Sequence, residues 1–277
     1  MRAAILQMTS SDMPDENLET VLSALAEAKA GAADILLTPE VMNCLSVSGS
    51  HQQSVLHLQG DDPSLAALCR GARDHGIWLM IGSLALKTGD ADGRFANRSR
   101  LIYDTGEIAG WYDKIHMFDV NVTPDETYRE SDGYRPGDRA VVAETPLGKF
   151  GLTICYDMRF AYLYRDLAQA GAEIITVPAA FSPVTGAAHW ESLLRARAIE
   201  TGCFIIAPAQ TGTHAASKGK SRQTHGHSLV VAPWGEVLLD AGTAPGLHFV
   251  EIDLAEVAQA RRRVPSLCHD RPYGLVQ

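Results

Sequence analysis

The sequence predicts an α/β layered sandwich, with helices outside two sheets. Three observations carry this. Short apolar runs alternate with amphipathic segments in both halves of the chain, those segments carry helix start and stop residues, and hairpin signals stand in the middle and near the end.

Ala3 to Gln7 reads as a first strand. Leu18, Val21, Leu22 and Leu25 follow at i, i+3, i+4 and i+7, which puts one apolar stripe on a helix, and Gly31 stands where a C-terminal glycine belongs. Ile35-Leu36-Leu37 is a buried strand ending at Thr38-Pro39-Glu40. Asp62-Pro63 is an N-cap and first-turn pair for a helix carrying Leu65, Leu68, Cys69 and Ala72 up to Gly76. Trp78 to Leu84 is the next strand. Arg100 to Tyr103 and Ile108 to Tyr112 flank Asp104-Thr105-Gly106 as a hairpin. From about Phe118 to Asp138 the chain is polar and aperiodic, and a loop this long inside a domain is usually functional. The alternation resumes with strands at 150–154, 174–178 and 204–207 and helices at 162–170 and 190–200. Strands at 228–232 and 236–239 pair around Pro233-Trp234-Gly235, and 247–252 adds one more. The domain spans 1–253. The tail, 254–277, has little apolar content and is expected to lie over a surface or a partner subunit.

With 33 acidic against 24 basic residues the formal charge is -9 and there is no basic run, which argues against nucleic acid or an anionic membrane as partner. The five cysteines are scattered without a Cys-x-x-Cys pair, so neither a zinc knuckle nor a redox motif is indicated, and an odd number fits a reducing cytoplasm. The N-terminus turns polar too early for a signal peptide, and no apolar stretch approaches the ~20 residues of a membrane span. His225-Gly226-His227 lacks a third ligand at a metal spacing, so no metal or other cofactor is expected.

Cys155 sits where an apolar strand gives way to the polar turn Tyr156-Asp157-Met158-Arg159 before a helix. Such a turn holds a nucleophile rigidly beside helix N-terminal amides, whereas a plain core cysteine needs no polar residues after it. Glu40 ends another strand, where a carboxylate is ordinarily solvated, and Lys114 follows Asp113 as a surface lysine would. Neither is singled out by composition or periodicity.

The blocks Leu37-Thr38-Pro39-Glu40, Tyr112-Asp113-Lys114-Ile115-His116 and Gly151-Leu152-Thr153-Ile154-Cys155-Tyr156-Asp157-Met158-Arg159-Phe160 resemble the three catalytic blocks of the nitrilase superfamily, in its order and spacing. Gly186-Ala187-Ala188-His189-Trp190, Arg195-Ala196-Arg197-Ala198-Ile199-Glu200 and Gly226-His227-Ser228-Leu229-Val230-Val231 extend the resemblance across the chain. They are similar to the Nit branch, whose members include amidases of deaminated glutathione and of α-keto acid ω-amides. The resemblance implies a four-layer α-β-β-α sandwich and a triad of Glu40, Lys114 and Cys155 for hydrolysis of a linear amide. In it Glu40 takes the thiol proton, Cys155 attacks the carbonyl, Lys114 and the backbone N–H of Tyr156 hold the oxyanion, and ammonia leaves. It also matches Glu130 to a second glutamate of the site, where the residues alone read equally as one more acid in a polar loop. Arg159 matches a position that contacts a substrate carboxylate in related amidases, while a salt bridge to Asp157 is the other reading. Thr38, often a larger apolar residue, and Asp113, often basic, depart from the pattern. The resemblance further implies a homodimer or larger homo-oligomer. Nitrilase or N-carbamoyl-amide hydrolase chemistry would use the same triad, and a non-catalytic scaffold subunit is the alternative from another class.

Overall fold

The apolar runs pair as strands where the alternation places them. The computed structural model describes residues 1–123 and 126–275; positions 124–125, in the long polar loop, and 276–277, at the end of the tail, lie outside the described residues. In chain order the first half consists of β1 (Arg2–Gln7), α1 (Pro14–Ala30), β2 (Ile35–Leu37), α2 (Gly49–Val55), α3 (Pro63–His75), β3 (Trp78–Lys87), β4 (Phe95–Ile102) and β5 (Ile108–Asp113). A small hairpin, β6 (Asp119–Thr123) and β7 (Glu126–Arg129), and a single helical turn, α4 (Glu130–Gly133), follow. The second half has β8 (Val141–Thr145), β9 (Gly148–Leu152), a 3₁₀ turn at Cys155–Arg159, α5 (Ala161–Gln169), β10 (Ile174–Thr176), α6 (Pro183–Thr201) and β11 (Phe204–Ala207). The hairpin β12 (Thr211–His214) and β13 (Arg222–His225), then β14 (Leu229–Val231), β15 (Val237–Asp240), β16 (Gly246–Glu251) and α7 (Ala255–Arg263) complete it.

Two six-stranded sheets result, ordered β16-β1-β2-β3-β4-β5 and β15-β14-β11-β10-β9-β8. Each has three parallel strands at its centre, β1-β2-β3 and β9-β10-β11, flanked by antiparallel ones. Parallel strands buried on both faces need continuous apolar runs, which is why these read so clearly in the sequence. Ala4, Leu6, Leu36 and Leu79 pack with Val21 and Leu25 of α1 and Leu68 and Ala72 of α3. Ile5, Ile35, Leu37 and Met80, on the opposite face, share one apolar cluster with Phe150, Leu152 and Ile174 of the second sheet and with Leu163 of α5 and Leu194 of α6. The period-2 alternation of one strand thus serves two different layers. The outcome is the four-layer α-β-β-α sandwich.

Several local readings change. Gly31 has φ -79 and Ala32 carries the left-handed turn at φ 56. At 31 a Cβ would stand 2.5 Å from the Phe249 ring, so any larger residue there would have to displace that ring. The stretch 118–138, expected as a loop, contains β6, β7 and α4. The chain beyond Asp253 forms α7, which buries Val257 and Ala260, and Arg261 Nη2 donates to Ala172 O at 2.6 Å. No helix of the described residues is long and apolar enough to cross a membrane.

Candidate active site

Glu40 leaves β2 through Thr38 and Pro39, and Val41 after it takes a left-handed φ of 44, its N–H donating to Ser83 Oγ at 2.7 Å. Cys155 leaves β9 with φ 50, its N–H donating to Pro178 O at 2.9 Å. Non-glycine residues in this region of φ are uncommon, and two of the four described here adjoin or carry these side chains. Lys114 follows β5, its N–H donating to Asn97 O at 3.0 Å. The three positions come from two sheets and meet where the sheets' strand ends face each other.

The geometry is tight. Glu40 and Lys114 are 4% and 2% exposed. Lys114 Nζ donates to Glu40 Oε1 at 2.9 Å and to both carboxylate oxygens of Glu130 at 2.9 Å. Glu130 is itself fixed by the Phe118 N–H at 2.6 Å. Asn97 Nδ2 donates to Glu40 Oε1 at 2.8 Å, and the Ala180 N–H donates to Glu40 Oε2 at 2.8 Å. Each of these bonds satisfies the charged form of a carboxylate that has almost no access to water.

Electrostatics divide the protons among the three groups. Burial pushes the Cys155 thiol well above its ordinary range, the Glu40 carboxylate pushes it further, and Lys114 offsets this only in part. Burial disfavours charge on Glu40 too, but the Lys114 ammonium holds its carboxyl below the usual value. Lys114, penalised by burial, is raised by the charges of Glu130 and Glu40. At neutral pH the site therefore holds a thiol, a carboxylate and an ammonium.

Asp157 braces the lysine and cysteine blocks together. Its carboxylate accepts from Tyr112 Oη at 2.6 Å, from His116 Nδ1 at 2.7 Å and from the Ile154 N–H at 2.8 Å. That explains the spacing of Tyr112-Asp113-Lys114-Ile115-His116 against Cys155-Tyr156-Asp157. It also leaves Asp157 no part with Arg159. Thr38 Oγ1 accepts from the Gly82 N–H at 3.0 Å, and Asp113 accepts Arg98 through both carboxylate oxygens at 2.5 and 2.6 Å, so both departures from the family pattern have local partners.

A cavity of about 540 Å³ opens on Glu40, Lys114, Glu130 and Cys155, a volume suited to a small ligand. Tyr156 and Arg159 are not on its wall. Tyr156 packs against Phe118 and Phe160, and the Arg159 guanidinium lies 5.8 Å from the Tyr156 ring and 5.6 Å from the Phe181 ring, with Nη2 3.3 Å from His189 Nδ1. Of the two sequence readings of Arg159, pairing with Asp157 is not observed among the described residues. Sequence reasoning missed Asn97, Ala180 and Arg222, which all line the cavity. Asn97 had no readable signal, standing at the head of the polar run Asn97-Arg98-Ser99-Arg100. Arg222 had none beyond standing shortly before the Gly226-His227-Ser228 block.

The carbon-nitrogen hydrolase family model matches residues 2–262. The chain belongs to the carbon-nitrogen hydrolase family. Among curated relatives, the deaminated glutathione amidase of Yersinia enterocolitica is 38% identical over 97% of this chain and 92% of its own length. Among solved structures, the C. elegans NitFhit protein superposes with a TM-score of 0.88 at 33% identity, covering 98% of this chain; the chain spans only 65% of that protein. A variant of the amidase of Nesterenkonia sp. AN1, with acrylamide added at its active-site cysteine, matches with a TM-score of 0.77 and 26% identity over 96% of this chain and 98% of that one. This carbon-nitrogen hydrolase is thus an amidase-type enzyme with the sandwich that its sequence predicts.

Proposed function

We propose that Cys155, Glu40 and Lys114 hydrolyse a linear, carboxylate-bearing amide through a thioester. The observation that carries this is the buried Glu40–Lys114 ion pair at 2.9 Å, which opens with Cys155 on one cavity. A thiol raised so far is not pre-ionised, so its proton has to leave as attack occurs, and Glu40 is the base beside it. Cys155 Sγ bonds to the amide carbon while Glu40 takes its proton. The resulting oxyanion is held by Lys114, the ammonium that lines the cavity beside Cys155. Glu40 returns the proton to the leaving nitrogen and the C–N bond breaks. A primary amide releases ammonia. Deaminated glutathione, whose scissile nitrogen belongs to its cysteine residue, releases an amine. Glu40 then takes a proton from the water that opens the thioester, restoring the thiol. Glu130 holds Lys114 in place.

The relatives that act on deaminated glutathione support a short substrate with a free carboxylate. Cys155→Ala is expected to abolish release of both the acid and the nitrogen product while leaving the thermal transition in place; unimpaired turnover would overturn the reading. Deaminated glutathione, ω-amides of α-keto acids, nitriles and N-carbamoyl compounds compared by product release identify the substrate class. The same reading includes a cytoplasmic homo-oligomer. The exposed Ile199, Trp234 and Val264 support an apolar contact face, and a monomeric mass by light scattering counts against it.

A further inference from the structure

Resting on the amidase reading, we propose that Arg222, in β13, is the residue that selects the substrate by gripping its carboxylate, a role the sequence pattern assigns to Arg159. Arg222 lines the same cavity as Cys155, Glu40 and Lys114, whereas Arg159 lies off its wall against Phe181 and Tyr156.

The guanidinium is positioned and still has donors to offer. Nη2 donates to Ala180 O at 2.6 Å, its only hydrogen bond among the described residues, and Nε is buried without a partner among them. The ring of Tyr128 stands 5.6 Å away. Ala180 is the link to the reaction centre, because its N–H donates to Glu40 Oε2 at 2.8 Å while its carbonyl accepts from Arg222. One residue of backbone thus separates the base from the guanidinium, and the positive charge of Arg222 is close enough to help hold Glu40 ionised.

The other cations of the cavity are committed. Lys114 is shared between two carboxylates. Arg129 is exposed and spends its guanidinium on Val120 O, Tyr128 O and Asn121 Oδ1 of its own hairpin. Nη1 makes no hydrogen bond among the described residues and, unlike Nε, is not buried, so it is free to meet a ligand, and the planar fork of a guanidinium matches the two oxygens of a carboxylate. The substrates that fit are linear amides with a carboxylate a few bonds from the scissile carbonyl, such as the ω-amides of short dicarboxylic acids.

The test compares kcat/KM for glutaramate, the monoamide of glutaric acid, with kcat/KM for its methyl ester, which has nearly the same shape and no charge. Taking the ratio cancels any effect of Arg222 on Glu40. The wild type is expected to prefer the acid. Arg222→Met is expected to reduce that preference by about 30-fold or more, and Arg159→Met to preserve it. Arg222→Lys keeps a charge but loses the fork, and serves if the Met variant does not fold; it too is expected to lose preference. Glutarate, which has no amide to cleave, is expected to raise the melting temperature of the wild type and not that of Arg222→Met. A wild type that does not prefer the acid, a preference unchanged in the Arg222 variants, or one that collapses in Arg159→Met overturns the proposal. If the wild type cleaves neither compound, the short ω-amide substrate class fails while the wider amide panel still tests the amidase reading, and glutarate stabilisation still decides the carboxylate site.

Discussion

Lys114 is the most constrained side chain of the site, one buried cation between two carboxylates. Removing it has two separable consequences. As an oxyanion donor, its loss in Lys114→Met is expected to lower kcat by roughly 10²–10³. As the cation bridging Glu40 and Glu130, its loss leaves buried charges uncompensated, which costs about 3–5 kcal/mol of stability. Adding Glu130→Gln to Lys114→Met should recover much of the stability in chemical denaturation but none of the turnover. Recovery of turnover in the double variant would mean that Lys114 serves structure alone. At this scale the triad was legible only through its blocks, because an isolated Glu, Lys or Cys carries no sign of what it faces. Asn97 and Ala180 act on Glu40 through one hydrogen bond each, and such contacts leave no periodic trace.

The β12–β13 hairpin shows what sequence patterning overlooks among elements. It has few apolar residues, so nothing in its periodicity marks it, yet it carries Arg222 to the cavity. Its anchor is His214, 1% exposed and paired in register with Arg222. The Ser10 carbonyl can only accept, so Nδ1–H donates to it at 2.8 Å and Nε2 accepts from Thr224 Oγ1 at 2.7 Å, a neutral ring. Burial lowers the pKa of His214 from its ordinary value of 6.5 to about 4. Between these two values the unfolded chain binds the extra proton and the folded one does not, so stability rises with pH across that window. The contribution is complete above pH ~6.5 and is lost as pH falls toward ~4, amounting to roughly 3 kcal/mol. Melting temperatures recorded from pH 7 to pH 4 should fall through this range, and His214→Asn should flatten that part of the profile. A wild-type slope retained in the variant would assign the effect elsewhere. The β6–β7 hairpin escaped notice for the same reason. By contrast, the helix after Asp62 was read at its true start, because its cap is chemical: Asp62 Oδ1 accepts from the Leu65 N–H at 2.7 Å.

At the scale of the molecule, the two sheets touch at the site through Gly82. A Cβ there would stand 2.0 Å from Thr38 O, 2.5 Å from Pro39 O and 2.6 Å from Pro178 Cβ. Thr38 and Pro39 lead into Glu40 of one sheet, and Pro178 holds the Cys155 N–H in the other. Gly82→Ala should therefore force the two strand ends apart, costing about 1–3 kcal/mol of stability, or several degrees in melting temperature. Activity is expected to fall by more than the unfolded fraction explains, since Glu40 and Cys155, the proposed base and nucleophile, move relative to each other. Full specific activity in Gly82→Ala would show that the junction tolerates displacement.

The sequence by itself determined the layers, the central strands of both sheets in chain order and the three blocks of the family pattern. These depend on local causes: apolar periodicity, caps and turns, and short residue runs read in series. Which groups bind Glu40 and which arginine reaches the cavity were decided by tertiary structure. Glu40 and Ala180 are 140 residues apart, and Arg159, only four positions beyond Cys155, lies off the cavity wall while Arg222 from a distant hairpin lines it. The direction of a side chain follows from the packing of the elements around it, and no local pattern in this chain encodes that.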